Sequence, residues 1–180
     1  MPARMANTRR FELAKTIAAD LRKREGRNLV AVGLYGSVAR REERRHSDVD
    51  MLVVVRRKRR RIRHTVHAGI LVTILQHTPE EAQREVMGPH PGMSDALGGW
   101  RSMHPLYDPS RVLTRLRAQA RRPAGRTFRE AACLHFVETY EDLGKLWDAI
   151  ESGGRDEARE MAIWFSSAAM GPCSTWRPTC

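Results

Sequence analysis

Two apolar runs, NLVAVGLY from Asn28 to Tyr35 and DVDMLVVV from Asp48 to Val55, bracket a short charged stretch that opens on Gly36-Ser37. Their length and valine content read as two strands buried on both faces. The second run carries Asp48 and Asp50, where a buried strand ordinarily excludes carboxylates. Residues two apart on a strand project to the same side, with backbones about 7 Å apart at roughly 3.4 Å per residue. Two ionised carboxylates that close repel, and each raises the pKa of the other. A divalent cation between them removes the conflict, and oxygen-only ligands favour Mg²⁺ or Mn²⁺ over zinc. Gly36-Ser37 completes the pattern, because a glycine at a helix start offers bare backbone N–H groups to a phosphate and the serine adds a hydroxyl. Gly-Ser alone reads as a turn and helix cap, and Asp-Val-Asp alone as a strand edge. Placed at the end of one strand and the start of the next, the two together describe a metal-nucleotide site.

The remaining elements follow from periodicity. Thr8 can cap a helix to about Glu25, with Phe11, Ala14, Ile17, Ala18 and Leu21 at helical spacing and Gly26 as its stop. Ser37 begins a short helix to about Arg44. The run RRKRRRIR, Arg56 to Arg63, reads as a solvated turn with its flanks, and alternatively as a phosphate-binding patch. A third strand is expected from Gly69 to Gln76, then a helix capped by Thr78 with Glu81 three residues on. Met87 to Gly99 reads as loop with one short helix, RSMHPLYD as an edge strand, and PSRVLTRLRAQA as a helix opening on proline. This predicts a nucleotide-binding domain over 1–120, a linker over 121–126 and a helical appendage over 127–180. In the appendage Phe128, Ala132, Phe136, Tyr140, Leu143, Trp147 and Ile150 form a stripe, and a second helix covers Asp156 to about Ala169. The stripe is expected to be buried against the chain or a second protomer, with Trp147 and Trp164 as core. The final GPCSTWRPTC has no periodicity, and a bundle ending so abruptly reads as truncated or frameshifted.

Composition narrows the function classes. The net charge is +11, which suits a polyanionic partner such as a nucleoside triphosphate. Arginine far outnumbers lysine, a bias a GC-rich genome also produces, so the charge is not taken as evidence for nucleic acid. Cys133, Cys173 and Cys180 form no CxxC pair, and no stretch approaches the roughly 18 apolar residues of a membrane span. These features predict a cytoplasmic protein. His64 and His67 are three apart, which places them on opposite faces of a strand and argues against a metal pair. His135 reads as a core-edge histidine of a helix.

The stretch GSVARREERRHSDVDMLVVV resembles the DNA polymerase β-like nucleotidyltransferase superfamily, in which Gly-Ser is followed after about ten residues by Asp-x-Asp at a strand start. Here ten residues separate Ser37 from Asp48. GSVAR and HSDVD also resemble the corresponding motifs of small bacterial and archaeal members, and the likeness extends over roughly Asn28 to Pro109. It implies an α+β fold, a small mixed β-sheet backed by helices. It implies that Asp48 and Asp50 hold Mg²⁺ or Mn²⁺, that Gly36 and Ser37 grip the triphosphate of an NTP, with ATP the expected donor, and that a nucleoside monophosphate passes to a hydroxyl on a small molecule or protein. Arg40 matches the family's arginine, either supporting the triphosphate or capping the helix. Two departures stand out. Arg41 sits where the family often has glycine. Aligning TPEE with the family's strand-to-helix turn puts Thr73 at the position of the third carboxylate, which helps deprotonate the attacking hydroxyl. Loss of a general base costs roughly 10²–10⁴-fold. The chain is then a weak or inactive member, or its acceptor needs no strong base, or a neighbour such as His67 or Glu80 substitutes. The branches it resembles are the kanamycin-type enzymes and the antitoxin-type protein adenylyltransferases, whose helical tail would dock a partner or a second copy. A non-catalytic nucleotide- or protein-binding module is the alternative.

Overall fold

The computed structural model describes residues 2–170, with side-chain surroundings for 9–166. The elements in chain order are α1 (Pro2–Glu25), β1 (Leu29–Tyr35), α2 (Gly36–Arg40), β2 (Val49–Val55), β3 (Ile62–His67), β4 (Ile70–His77), α3 (Pro79–Met87), α4 (Met93–Ser102), β5 (His104–Tyr107), α5 (Val112–Ala120), α6 (Gly125–Glu151) and α7 (Arg155–Met170). The strands form one sheet in the order β3-β4-β2-β1-β5. Pairing is antiparallel except between β2 and β4, which run parallel. The fold is the expected α+β, a mixed sheet backed by helices.

Strand alternation sorts the core into two layers. On one face Val32, Leu34, Val49, Met51, Val53, Val72 and Ile74 pack under Ala14, Ile17, Ala18 and Leu21 of α1 and Val38 of α2. On the other face Ala31, Leu52 and Val54 meet Ala82 and Val86 of α3, Leu97 and Trp100 of α4, and Leu113 and Leu116 of α5. β1 and β2 are thus covered on both sides, as their unbroken apolar runs require.

Several boundaries differ from the sequence expectation. α1 begins at Pro2, so position 8 lies inside the helix and is no cap. α2 ends at Arg40 because Arg41 takes φ 60°, a left-handed turn that closes the helix on the carbonyls of Ser37 and Val38. This is where glycine fits without strain, which gives a physical sense to Arg41 as a departure. The end of the charge run is not turn but strand: β3 begins at Ile62 and forms a hairpin with β4. Parallel β2 and β4 need a return path, and the extended β3 supplies it in place of a helix. The capping box at Thr78 is as expected, its hydroxyl accepting from Glu81 N while the Glu81 carboxylate accepts from Thr78 N. α5 starts at Val112, not Pro109, where Asp108 accepts from the N–H groups of Leu113 and Thr114.

The appendage departs most. Phe136, Tyr140, Trp147 and Trp164 are each 60 to 68% exposed, so the core reading of the two tryptophans fails. α6 and α7 pack on each other, and Ala131 alone of the buried α6 residues joins the domain core. α6 buries only Ala131 and Ala149, α7 buries none of its described side chains, and most of the apolar stripe stays open. Cys133 is exposed. Cys173, Cys180 and the suspected premature end lie outside the described residues. Among the described residues no helix is long and apolar enough to cross a membrane.

Candidate active site

The sheet brings four side chains into one row on a single face. Tyr35 of β1 pairs with Asp50 of β2, Asp50 pairs with Thr73 of β4, and Thr73 pairs with His64 of β3. Directly paired residues on adjacent strands share a face. Asp48 stands just before β2, half-buried like Asp50. The Asp50 carboxyl is pushed up to about 6, first by burial and then by the Asp48 charge. Tyr35 is pushed up to about 12, mainly by burial and further by Asp50, Glu85 and Asp48, so its hydroxyl keeps its proton. The repulsion expected between the two aspartates is therefore present in the fold.

Gly36 is required twice over. Its φ is +75°, and a Cβ built on it would sit 2.7 Å from Asp50 Oδ2. The bare backbone of the Gly36-Ser37 turn therefore lies directly against the carboxylate. Ser37 is half-buried beside it, its carbonyl accepting from Glu42 N at 2.9 Å. Arg40 is drawn to Glu42, with Nε 2.7 Å from Oε2, in an exposed pair.

Thr73 lies level with Asp50, the register expected from TPEE, and carries a hydroxyl where the family resemblance implies a third acid. Among the described residues no group of three or more His, Cys, Asp or Glu is placed to hold a metal ion. Neither substitute base expected from sequence reaches this spot. His67 alternates to the opposite face from His64 and pairs with Ile70. Glu80 lies beyond the far end of β4, where the five residues from Thr73 to Thr78 alone span about 17 Å. The arginine run up to Arg61 also lies past the far end of β2. There Lys58 pairs with Glu81, and Asn28 holds the backbone of Arg57, which fits a tethered solvated turn.

Two residues escaped the sequence reading. Arg10 is only 8% exposed, and donates from Nε to Ser47 O at 2.9 Å and from Nη2 to Arg45 O at 2.7 Å. It pins the loop that delivers Asp48. The signal was available: Ala14, Ile17, Ala18 and Leu21, extended back one turn, land on Arg10 as readily as on Phe11. His64, weighed in the sequence only as half of a metal pair, is the other, with Nδ1 3.1 Å from Thr73 Oγ1. Beside the row, a cavity of about 170 Å³ is lined by Tyr35, Leu52, Leu75, Trp100, Glu85 and Asp95 among others. Glu85 is fixed there by the Trp100 indole N–H, which donates to it at 2.8 Å.

Residues 14–90 match the nucleotidyltransferase domain family. Aminoglycoside nucleotidyltransferase (4') of Staphylococcus aureus is 23% identical over 160 residues, covering 85% of this chain and 61% of that protein. The crystal structure of a nucleotidyltransferase-like protein from Exiguobacterium sibiricum 255-15 superposes with a TM-score of 0.51 at 11% identity, covering 86% of this chain and 54% of that one. The chain thus spans less than two thirds of either relative, and the structural likeness speaks to the fold.

Proposed function

We propose that this chain, whose residues 14–90 match the nucleotidyltransferase domain family, transfers a nucleoside monophosphate from an NTP, with ATP the expected donor, to a hydroxyl acceptor. The observation that carries the reading is the half-buried Asp48–Asp50 pair with the bare backbone of Gly36 pressed against it. The pair fits a divalent cation, since a carboxyl pushed up to about 6 by burial and a neighbouring charge is relieved by one. Asp48 and Asp50 would hold Mg²⁺ or Mn²⁺, which when bound neutralises phosphate charge and polarises the reacting phosphoryl group. Gly36 and Ser37 would take the triphosphate through backbone N–H and hydroxyl, with Arg40 at the rim.

The acceptor we propose is a cationic small molecule. Two acidic residues, Glu85 and Asp95, line the cavity next to Tyr35, in a chain whose overall charge is +11. The similarity to an aminoglycoside nucleotidyltransferase supports the same class. The exposed apolar stripe of α6 and α7 supports a docking role for these helices, toward a second copy or another protein. Sedimentation of the wild type against Phe136→Asp with Trp147→Asp tests it. A concentration-dependent dimer lost in the variant supports self-association, and a monomer at all concentrations removes that form of it.

The function test is incubation with α-labelled NTPs and Mg²⁺, following label onto aminoglycosides and onto protein. Label on the small molecule that is lost in Asp48→Asn with Asp50→Asn supports the reading. Label on protein alone favours an antitoxin-type adenylyltransferase. Thr73 at the third-acid position favours one other reading, a nucleotide-binding module without turnover, and Mg-ATP binding with no transfer to any fraction would select it.

A further inference from the structure

We propose that His64 is the general base of the transfer, taking over from the edge strand the task that Thr73 cannot perform. The proposal rests on reading the Asp48–Asp50 site as a nucleotidyl-transfer site.

The argument begins with register. The two residues Ala68 and Gly69 turn the β3–β4 hairpin, with φ +48° and +79°, and fix His67 opposite Ile70. Antiparallel counting then puts His64 opposite Thr73, and the parallel register puts Thr73 opposite Asp50. Adjacent strands lie about 4.8 Å apart, so the His64 backbone is roughly 10 Å from that of Asp50 along the row. That span leaves room for a bound hydroxyl above Thr73. His64 is exposed on an edge strand, so an acceptor can reach it. Its ring leans toward Thr73, with Nδ1 3.1 Å from the hydroxyl oxygen.

That contact accommodates the tautomer the step requires. With Nδ1–H donating to Thr73 Oγ1, the lone pair of Nε2 is left as the acceptor. An imidazole nitrogen with a free lone pair can accept a proton from a hydroxyl, which a threonine side chain is not suited to do. In the step, Nε2 takes the proton of the acceptor O–H as its oxygen forms a bond to the α-phosphorus. The bond from the α-phosphorus to the bridging oxygen of the β-phosphate breaks, and pyrophosphate leaves with that electron pair. The imidazolium then returns its proton to water. Thr73 is a positioning residue here, since its hydroxyl holds the ring angle.

Other groups near the row are less suited. Tyr35 keeps its proton to about pH 12, and Glu85 is engaged by the Trp100 indole. His67 faces the other side of the hairpin.

The test compares wild type, His64→Ala, Thr73→Val and Asp50→Asn by single-turnover label transfer and by calorimetric binding of Mg-ATP. We expect His64→Ala to transfer about 10²-fold more slowly, with Mg-ATP affinity unchanged. Added imidazole should restore at least about tenfold of that loss, and should not rescue Asp50→Asn. Thr73→Val should slow transfer by a smaller factor and leave Mg-ATP affinity intact. Transfer at the wild-type rate in His64→Ala overturns the base, as does loss of Mg-ATP binding in that variant, which marks a structural role. A loss of transfer that imidazole does not touch overturns it too. Failure of the underlying reading looks different: wild type that binds no Mg-ATP, or Asp50→Asn that transfers normally, removes the site and the base with it.

Discussion

Replacing Asp50 with asparagine should stabilise the metal-free protein at pH 8 and leave it unchanged near pH 3.5. Burial and the Asp48 charge raise the Asp50 carboxyl from 3.8 to about 6. The folded chain therefore holds this proton to higher pH than the unfolded chain does. Below the unfolded value both states are protonated and the group costs nothing. Between about 4 and 6 the folded state binds more proton, so its stability falls as pH rises, and above about 6 the whole penalty is present. Two pKa units correspond to about 3 kcal/mol at 1.36 kcal/mol per unit. Asp50 is only half-buried and water screens it, so we take about 1 kcal/mol. Asparagine has the same shape, fits the space beside Gly36 and carries no charge.

Urea unfolding in EDTA at pH 3.5, 6 and 8 measures the difference. It should grow from near zero to about 1 kcal/mol in favour of the variant, or about 2–4 °C in Tm. Mn²⁺ should reverse the order. A cation held at 100 times its Kd stabilises the wild type by about 2.7 kcal/mol, and the variant, missing a ligand, by much less. If Asp50→Asn is less stable than wild type at pH 8 in EDTA, the aspartate is an ordinary structural acceptor and the reasoning is wrong.

Gly36→Ala should cost about 1–3 kcal/mol and abolish Mg-ATP binding, because the residue takes φ +75° and a Cβ would meet Asp50 Oδ2 at 2.7 Å; melting and calorimetry check the two halves. Arg10→Met should keep the α1 packing yet free the two carbonyls of Arg45 and Ser47 at a cost of about 2–4 kcal/mol, and hydrogen exchange should quicken in residues 44–48 before the core strands. Ala68→Asn should stabilise by about 0.5–1 kcal/mol, since Ala68 sits at φ +48° before Gly69 in a two-residue hairpin turn that prefers Asn-Gly; a lower urea midpoint would count against that turn.

What was legible in the sequence divides by the range of the interaction that decides it. The strands around Gly36, Asp48 and Asp50 were readable because a buried strand needs an unbroken apolar run, and the aspartates broke it visibly. The Thr78 capping box was readable because three residues settle it. β3 was obscured because an exposed edge strand has no buried face to impose alternation, and its start is the end of an arginine run that looks like a loop. Yet its register was within reach, for a two-residue turn at Ala68-Gly69 sets His64 against Thr73 by counting alone. Arg10 was obscured by its type: the stripe of α1 is extended by a charged side chain whose partners are loop carbonyls 35 and 37 residues away in sequence. The helical stripe from Phe136 to Ile150 is the opposite case. Periodicity identified which side of α6 is apolar, and it is apolar, but a stripe carries the same pattern whether its cover comes from the same chain or from another. Burial is a property of what lies opposite, and α6 has too little opposite it among the described residues to hide Phe136, Tyr140 and Trp147. The same distinction applies at the site. Two acids were legible as residues, whereas the base could be sought only once four strands had fixed which side chains share a row.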